Sequence, residues 1–117
     1  MTDSPTQPEA NAASPAWLVP DWPAPARVRA ICSTRAGGVS QGPFASLNLG
    51  DHVSDDAVAV ATNRAIFACQ LHSGVGTAHP VFLQQVHGTE LRWLNAQTPN
   101  GVTADACATR DAAIACV

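Results

Sequence analysis

The stretch Val81-Phe82-Leu83-Gln84-Gln85-Val86-His87-Gly88 constrains the fold more than any other part of the chain. Its apolar start predicts a short buried strand, and Gly88 lets the chain turn directly afterwards. Such a strand carries His87 to a fixed place. A histidine there is a candidate metal ligand or acid–base group. It is equally a core or surface histidine that only accepts a hydrogen bond.

What surrounds this stretch is sized for a single domain of 117 residues with one hydrophobic core. A hydrophobic share of 46% beside 13% charged residues is a globular composition. The formal net charge of −3 supplies no basic footprint for nucleic acid or an anionic membrane. Cys32, Cys69, Cys107 and Cys116 form no CxxC pair and sit beside apolar neighbours, which suits buried free thiols in a reducing compartment. No basic and then apolar leader opens the chain, and no run approaches the ~18 apolar residues of a spanning helix. These features predict a cytoplasmic protein.

Residues 1–15 are rich in Pro, Ser, Thr, Ala and Gln and read as a disordered tail, with the ordered part over 16–117. Trp17 and Trp22, set among prolines, predict an extended arm that packs on a core. Val28–Cys32 alternates like a strand. It runs into Ser33–Phe44, a loop with three glycines and a proline. Adjacent glycines allow backbone N–H groups to converge on an anion, with Arg35 as a two-pronged charged contact; a surface turn with a solvated arginine is the plainer reading. Ser46–Gly50 predicts a short strand with Leu47 and Leu49 inward and Asn48 outward, placed either to orient a ligand or to tie down a loop.

Ser54-Asp55-Asp56 supplies a helix cap, and a helix is expected from Asp56 to Leu71, closed by the glycines after His72. Its broad apolar arc takes in Val58, Val60, Ala61, Ala65, Phe67, Ala68, Cys69 and Leu71, with Thr62, Asn63 and Gln70 opposite. Arg64 lies inside that arc and calls for a carboxylate or backbone carbonyls, or else sits at the arc's edge and snorkels into water. Cys69, His72 and His79 have metal-ligand residue types, but a fourth donor is not apparent. Leu91–Leu94 reads as a strand partnering Val81–Val86. Asp105 reads as a turn cap or a site residue, and Ala112–Val117 as an apolar strand with no turn or polar tail after it, as if the chain stopped before the end of its fold.

Taken in order, Ser33-Thr34-Arg35-Ala36-Gly37-Gly38-Val39-Ser40, Gly42-Pro43-Phe44, Ser46-Leu47-Asn48-Leu49-Gly50, Asp55-Asp56, Asn63-Arg64, Gln84-Gln85-Val86-His87-Gly88 and Ala104-Asp105-Ala106 with Thr109 resemble the bacterial laccase-domain family. Its members carry the names polyphenol oxidase, peptidoglycan editing factor and purine nucleoside phosphorylase. The resemblance implies an α+β fold of mixed sheets packed with helices, of which this chain would be the N-terminal part. It implies a zinc enzyme, copper being the alternative metal, whose partners are a purine nucleoside and phosphate. Such enzymes phosphorolyse adenosine, inosine and methylthioadenosine and deaminate adenosine. The family holds its metal with two histidines and a cysteine. His87 matches the first of these. The Thr-Ala-Asp-Cys and His-Ala-Gly-Trp motifs that supply the others are not in this sequence and would follow Val117; neither Cys107 nor Cys116 sits in such a motif.

Arg35 is then the candidate for the phosphate contact, and Asn48 for orienting substrate or a ligand. A hydrolase that edits peptidoglycan precursors, a copper-dependent phenol oxidase and an inert fragment are the competing expectations. Four scattered histidines do not suit a multi-copper site.

Overall fold

The computed structural model describes residues 17–75 and 78–117, so the tail expected over 1–15 lies outside the described residues. A 3-10 turn at Gly42–Phe44 precedes helix α1, Ala57–Val75. Six short strands follow: β1 His79–Val81, β2 Leu83–Gln84, β3 Leu91–Leu94, β4 Val102–Thr103, β5 Ala106–Thr109 and β6 Ile114–Cys116. This is an α+β chain. It divides into two compact units, one ending at Gln70 and the other running from Leu71 to Val117.

The first unit is organised around loops. The strands expected over Val28–Cys32 and Ser46–Gly50 do not form; a single antiparallel bridge joins Leu18 to Cys32. Side chains and turns take the backbone groups that a ladder would have used. The carbonyl of Arg35 accepts the N–H groups of Ser46 and Leu47, and Ser40 N–H donates to the Ser46 carbonyl. Trp17 of the expected arm stacks on Phe67 with ring centroids 5.0 Å apart.

Helix α1 starts after Asp56, whose carboxylate accepts the Ala59 N–H at 3.2 Å, a normal N-cap contact. It runs past Leu71 to Val75, so His72 to Val75 are helical and not a closing loop; residues 76–77 of that loop lie outside the described residues. One glycine inside a helix costs only about 1 kcal/mol, too little to end it.

The face of α1 that turns inward differs from the expected arc. Val60, Asn63, Phe67 and Leu71 are buried, whereas Val58 is 72% exposed and Cys69 is on the surface. Alanines all round the helix leave hydrophobicity unable to choose a face. Asn63 chooses it: its side chain is 0% exposed. Its Oδ1 accepts the Val39 N–H at 2.8 Å, and its Nδ2 donates to Ser40 Oγ and to the Asn48 carbonyl, both at 2.8 Å. Next to it, Arg64 finds the carbonyl its position required, donating from Nε to Leu49 at 2.8 Å, with Asp51 3.7 Å from Nη2.

The second unit is built from three two-stranded parallel pairs, β1 with β6, β2 with β4 and β3 with β5. Val81, Leu94 and Ile114 form its core, with Leu83 and Cys107 packed against them. The expected strand Val81–Val86 is broken at Phe82, because the partner changes there. Phe82 N–H donates to Asn100 Oδ1 and its carbonyl accepts Gly101 N–H, so the residue belongs to neither ladder. Leu91–Leu94 is a strand, but its partner is β5 and not the Val81 segment.

No disulfide joins the four cysteines, as expected, but Cys32, Cys69 and Cys116 are exposed and Cys107 half-buried, against the reading of buried thiols. For Cys69 the reason is the helix phase set by Asn63. Burial and the neighbouring Cys107 push the Cys116 thiol up to about 11.

Replacing Asn63 by Ala should cost about 3 kcal/mol, since it removes three hydrogen bonds and leaves part-buried backbone groups of Val39 and Asn48 without that partner. Urea unfolding of the two proteins measures this; a loss under about 1 kcal/mol would mean that the amide is not the anchor of this unit.

Candidate functional site

The first unit presents an open depression of about 470 Å³ lined by Ser33, Thr34, Arg35, Pro43, Phe44, Asn48 and Leu49 among others. Arg35 is exposed at its wall. Its Nε donates to the Ala45 carbonyl at 2.8 Å. That bond fixes the plane of the guanidinium on one edge and leaves the Nη edge for an oxyanion.

The glycine loop beside Arg35 is not an anion cradle. Gly38 N–H donates to Ser46 Oγ, Val39 N–H to Asn63 Oδ1, and Ser40 N–H to the Ser46 carbonyl. These donors are committed to the protein itself. Gly38 is needed for close approach: a Cβ there would overlap the Ser46 carbonyl oxygen and lie 2.5 Å from Leu47 Cα and 2.6 Å from Asn63 Oδ1.

Asn48 is half-buried and not outward-facing. Its Nδ2 donates to the Gly50 carbonyl and to Asp55 Oδ2, and its Oδ1 accepts Gly50 N–H, each at 3.1 Å. The geometry is that of a residue tying down its own loop, the second of the two readings its position allowed. Asp55 is the carboxylate at the end of this network, accepting from Ser40 Oγ at 2.5 Å. The Ser40 hydroxyl and the Asn48 amide, helped by the Asp56 N–H and opposed by burial, hold its carboxyl below the usual range.

In the second unit, His87 lies beyond β2 on a loop, exposed, with φ +60. The strand does not deliver it. Asp105 does, and it is the residue whose importance the sequence understated. Its Oδ1 accepts the N–H groups of Val86 at 2.9 Å and His87 at 2.7 Å, and its Oδ2 that of Gly88 at 2.7 Å. Burial works against ionisation of Asp105, but the three N–H groups and the nearby imidazole outweigh it and lower the carboxyl overall. The Ala104-Asp105-Ala106 motif was visible in the sequence; that its carboxylate reaches back across some 17 to 19 residues was not.

Among the described residues, no three His, Cys, Asp or Glu side chains converge as a metal site, and the Cys69, His72 and His79 set is no exception. What this chain offers a metal is one exposed imidazole on a pinned loop. That fits a single coordination position.

Residues 29–117 match the profile of the family described as multi-copper polyphenol oxidoreductase laccase. A purine nucleoside phosphorylase of Pseudomonas aeruginosa is 48% identical over 101 residues, covering 86% of this chain and 39% of that protein. The purine nucleoside phosphorylase YfiH of Escherichia coli is 43% identical over 90 residues, 76% of this chain and 35% of the relative. A crystal structure of a Neisseria meningitidis protein is similar with a TM-score of 0.58 and 45% identity, over 64% of this chain and 29% of that one. The chain thus spans about two fifths or less of the length of these relatives, and corresponds to their N-terminal part.

The lowered Asp55 carboxyl sets a pH dependence. Its contribution to stability is complete above the ordinary value of 3.8 and is lost as pH falls through its lower folded-state value. Asp55→Asn should therefore be less stable near neutrality and lose less on acidification between about pH 5 and 2. Urea midpoints followed by tryptophan fluorescence across that range check it; parallel acid limbs for the two proteins would remove Asp55 from the account.

Proposed function

The chain belongs to the multi-copper polyphenol oxidoreductase laccase family, and from that premise we propose that it is the N-terminal part of a purine nucleoside phosphorylase. The observation that carries the reading is the 48% identity, over most of this chain, to a protein that bears that name. The substrates are adenosine, inosine or methylthioadenosine with phosphate, and the same protein deaminates adenosine. A cytoplasmic location is part of the same proposal.

Three residues of this chain have distinct roles in the proposal. Arg35 binds phosphate through its Nη edge. A guanidinium already braced by the Ala45 carbonyl meets a tetrahedral oxyanion with two parallel hydrogen bonds and little further loss of side-chain freedom. The Ser33 and Thr34 side chains beside it in the depression supply neutral hydroxyl partners. Asn48 acts through the loop it ties down, keeping that wall in place. His87 is one ligand of a zinc ion, the other donors coming from outside this chain. Zinc bound there would supply Lewis acidity toward the reacting nucleoside.

With the whole enzyme, inosine and phosphate should yield hypoxanthine and ribose 1-phosphate. Arg35→Ala should raise KM for phosphate about 10- to 100-fold, the worth of a charged hydrogen-bond pair, and change KM for inosine little. Equal rises in both would take Arg35 out of the phosphate site. His87→Ala should lower zinc content and phosphorolysis together. Metal analysis that returned copper, with phenol oxidation in place of phosphorolysis, would replace this reading by the oxidase.

A further inference from the structure

The geometry points to Asp105 as the positioning residue for His87: its carboxylate clamps three consecutive backbone N–H groups and so sets where the imidazole stands. The inference rests on the reading of His87 as a functional residue, but its structural half does not.

The loop carrying His87 has few other restraints. Val86, His87 and Gly88 are all exposed, and none belongs to a strand. His87 has φ +60, a left-handed conformation that costs a residue with a Cβ roughly 1–2 kcal/mol. A chain with no compensating contact would leave that conformation and take the imidazole elsewhere. The compensation is the convergence of successive N–H groups on one anion, an arrangement that backbone turning through the left-handed region creates. Both carboxylate oxygens are used, at 2.7 to 2.9 Å. Charge-assisted bonds of this kind are about twice as strong as neutral ones.

Asp105 is itself held. Its N–H and that of Ala106 donate to the Glu90 carbonyl at 3.0 and 3.2 Å, and β5 begins at Ala106. The loop 86–88 is therefore referenced to the β3–β5 ladder through one side chain. Gly88 completes the fit: a Cβ there would lie 3.1 Å from Asp105 Oδ2, tight enough to press on the clamp.

The side-chain chemistry predicts a graded series. Asp105→Ala removes every acceptor. Asp105→Asn keeps a carbonyl oxygen for Val86 and His87 but turns an amino group toward the Gly88 N–H. Gly88→Ala disturbs the same contact from the other side.

The test is made in the whole enzyme, with amide hydrogen exchange by NMR and zinc affinity measured against a competing chelator. In Asp105→Ala, exchange at Val86, His87 and Gly88 should accelerate at least about tenfold while the Leu91–Leu94 amides keep their protection. Zinc affinity should fall roughly tenfold, the lower end of what loss of a supporting partner costs. Asp105→Asn should accelerate Gly88 selectively and restore most of the zinc affinity; Gly88→Ala should resemble it.

Unchanged exchange at the three amides in Asp105→Ala overturns the clamp. Accelerated exchange with unaltered zinc affinity overturns the positioning role. If Asp105→Ala also loses protection along Leu91–Leu94, Asp105→Asn decides: acceleration confined to Gly88 supports the clamp, and none overturns it. A wild-type enzyme that holds no zinc, while the amides respond as described, overturns the reading of His87 as a ligand and leaves the clamp standing.

Discussion

The amide of Asn63 is the interaction on which the first unit of this protein depends. Its three hydrogen bonds reach the glycine loop at Val39 and Ser40 and the segment at Asn48. Those two segments have almost no regular structure of their own, so their backbone groups need partners from elsewhere. A primary amide suits the task, because it both donates and accepts and carries no charge to desolvate. Ser40 and Asn48 in turn donate to Asp55 just before the helix starts, so the network closes on itself. The Arg35 depression is one product of this arrangement. Its walls are loops, and they are loops held in place by a buried polar group where other folds would use strands.

The second unit meets the same difficulty in another way. Its strands have two to four residues, too short for much cooperativity. Parallel pairing ties each segment of 79–94 to a later one in 102–116, and Val81, Leu94 and Ile114 bury the result. Where the pairing lapses, side chains take over: Asn100 at Phe82, and Asp105 at the His87 loop. In both units a polar side chain replaces a ladder, and in both the replaced segment borders a candidate functional residue. Loops held this way can present side chains that a regular strand would point into a core or into solvent by strict alternation.

Much of the organisation was legible from the residues. The helix, its acidic cap, the need of Arg64 for a carbonyl or carboxylate and the short strands near Leu91 and Ile114 all follow from local pattern, and they are present. The failures share one cause. Val28–Cys32 and Ser46–Gly50 alternate as strands do, but alternation does not supply a neighbour, and without one no ladder forms. Asn63 was assigned to the solvent face because polarity is the only local cue, and the cue fails when a loop brings partners for every polar atom. The exposure of Cys69 and Val58 follows from that same error of phase. Asp105 reads as a turn cap or a site residue; the N–H groups it accepts lie 17 to 19 residues away, and which ones they are is a matter of chain crossing.

By itself the sequence determined the family, through an ordered set of small motifs, and with it the residues worth attention: Arg35, Asn48 and His87. These are matters of residue identity and order, which a chain carries without folding. Only the tertiary structure decided what surrounds them. It committed the glycine-loop N–H groups to Ser46 and Asn63, turned Asn48 into a brace for its own loop, and fixed His87 through Asp105. Each of those outcomes joins residues 2 to 24 positions apart. The longer of these contacts depend on which segments pack together, and no local pattern of polarity or spacing encodes that choice.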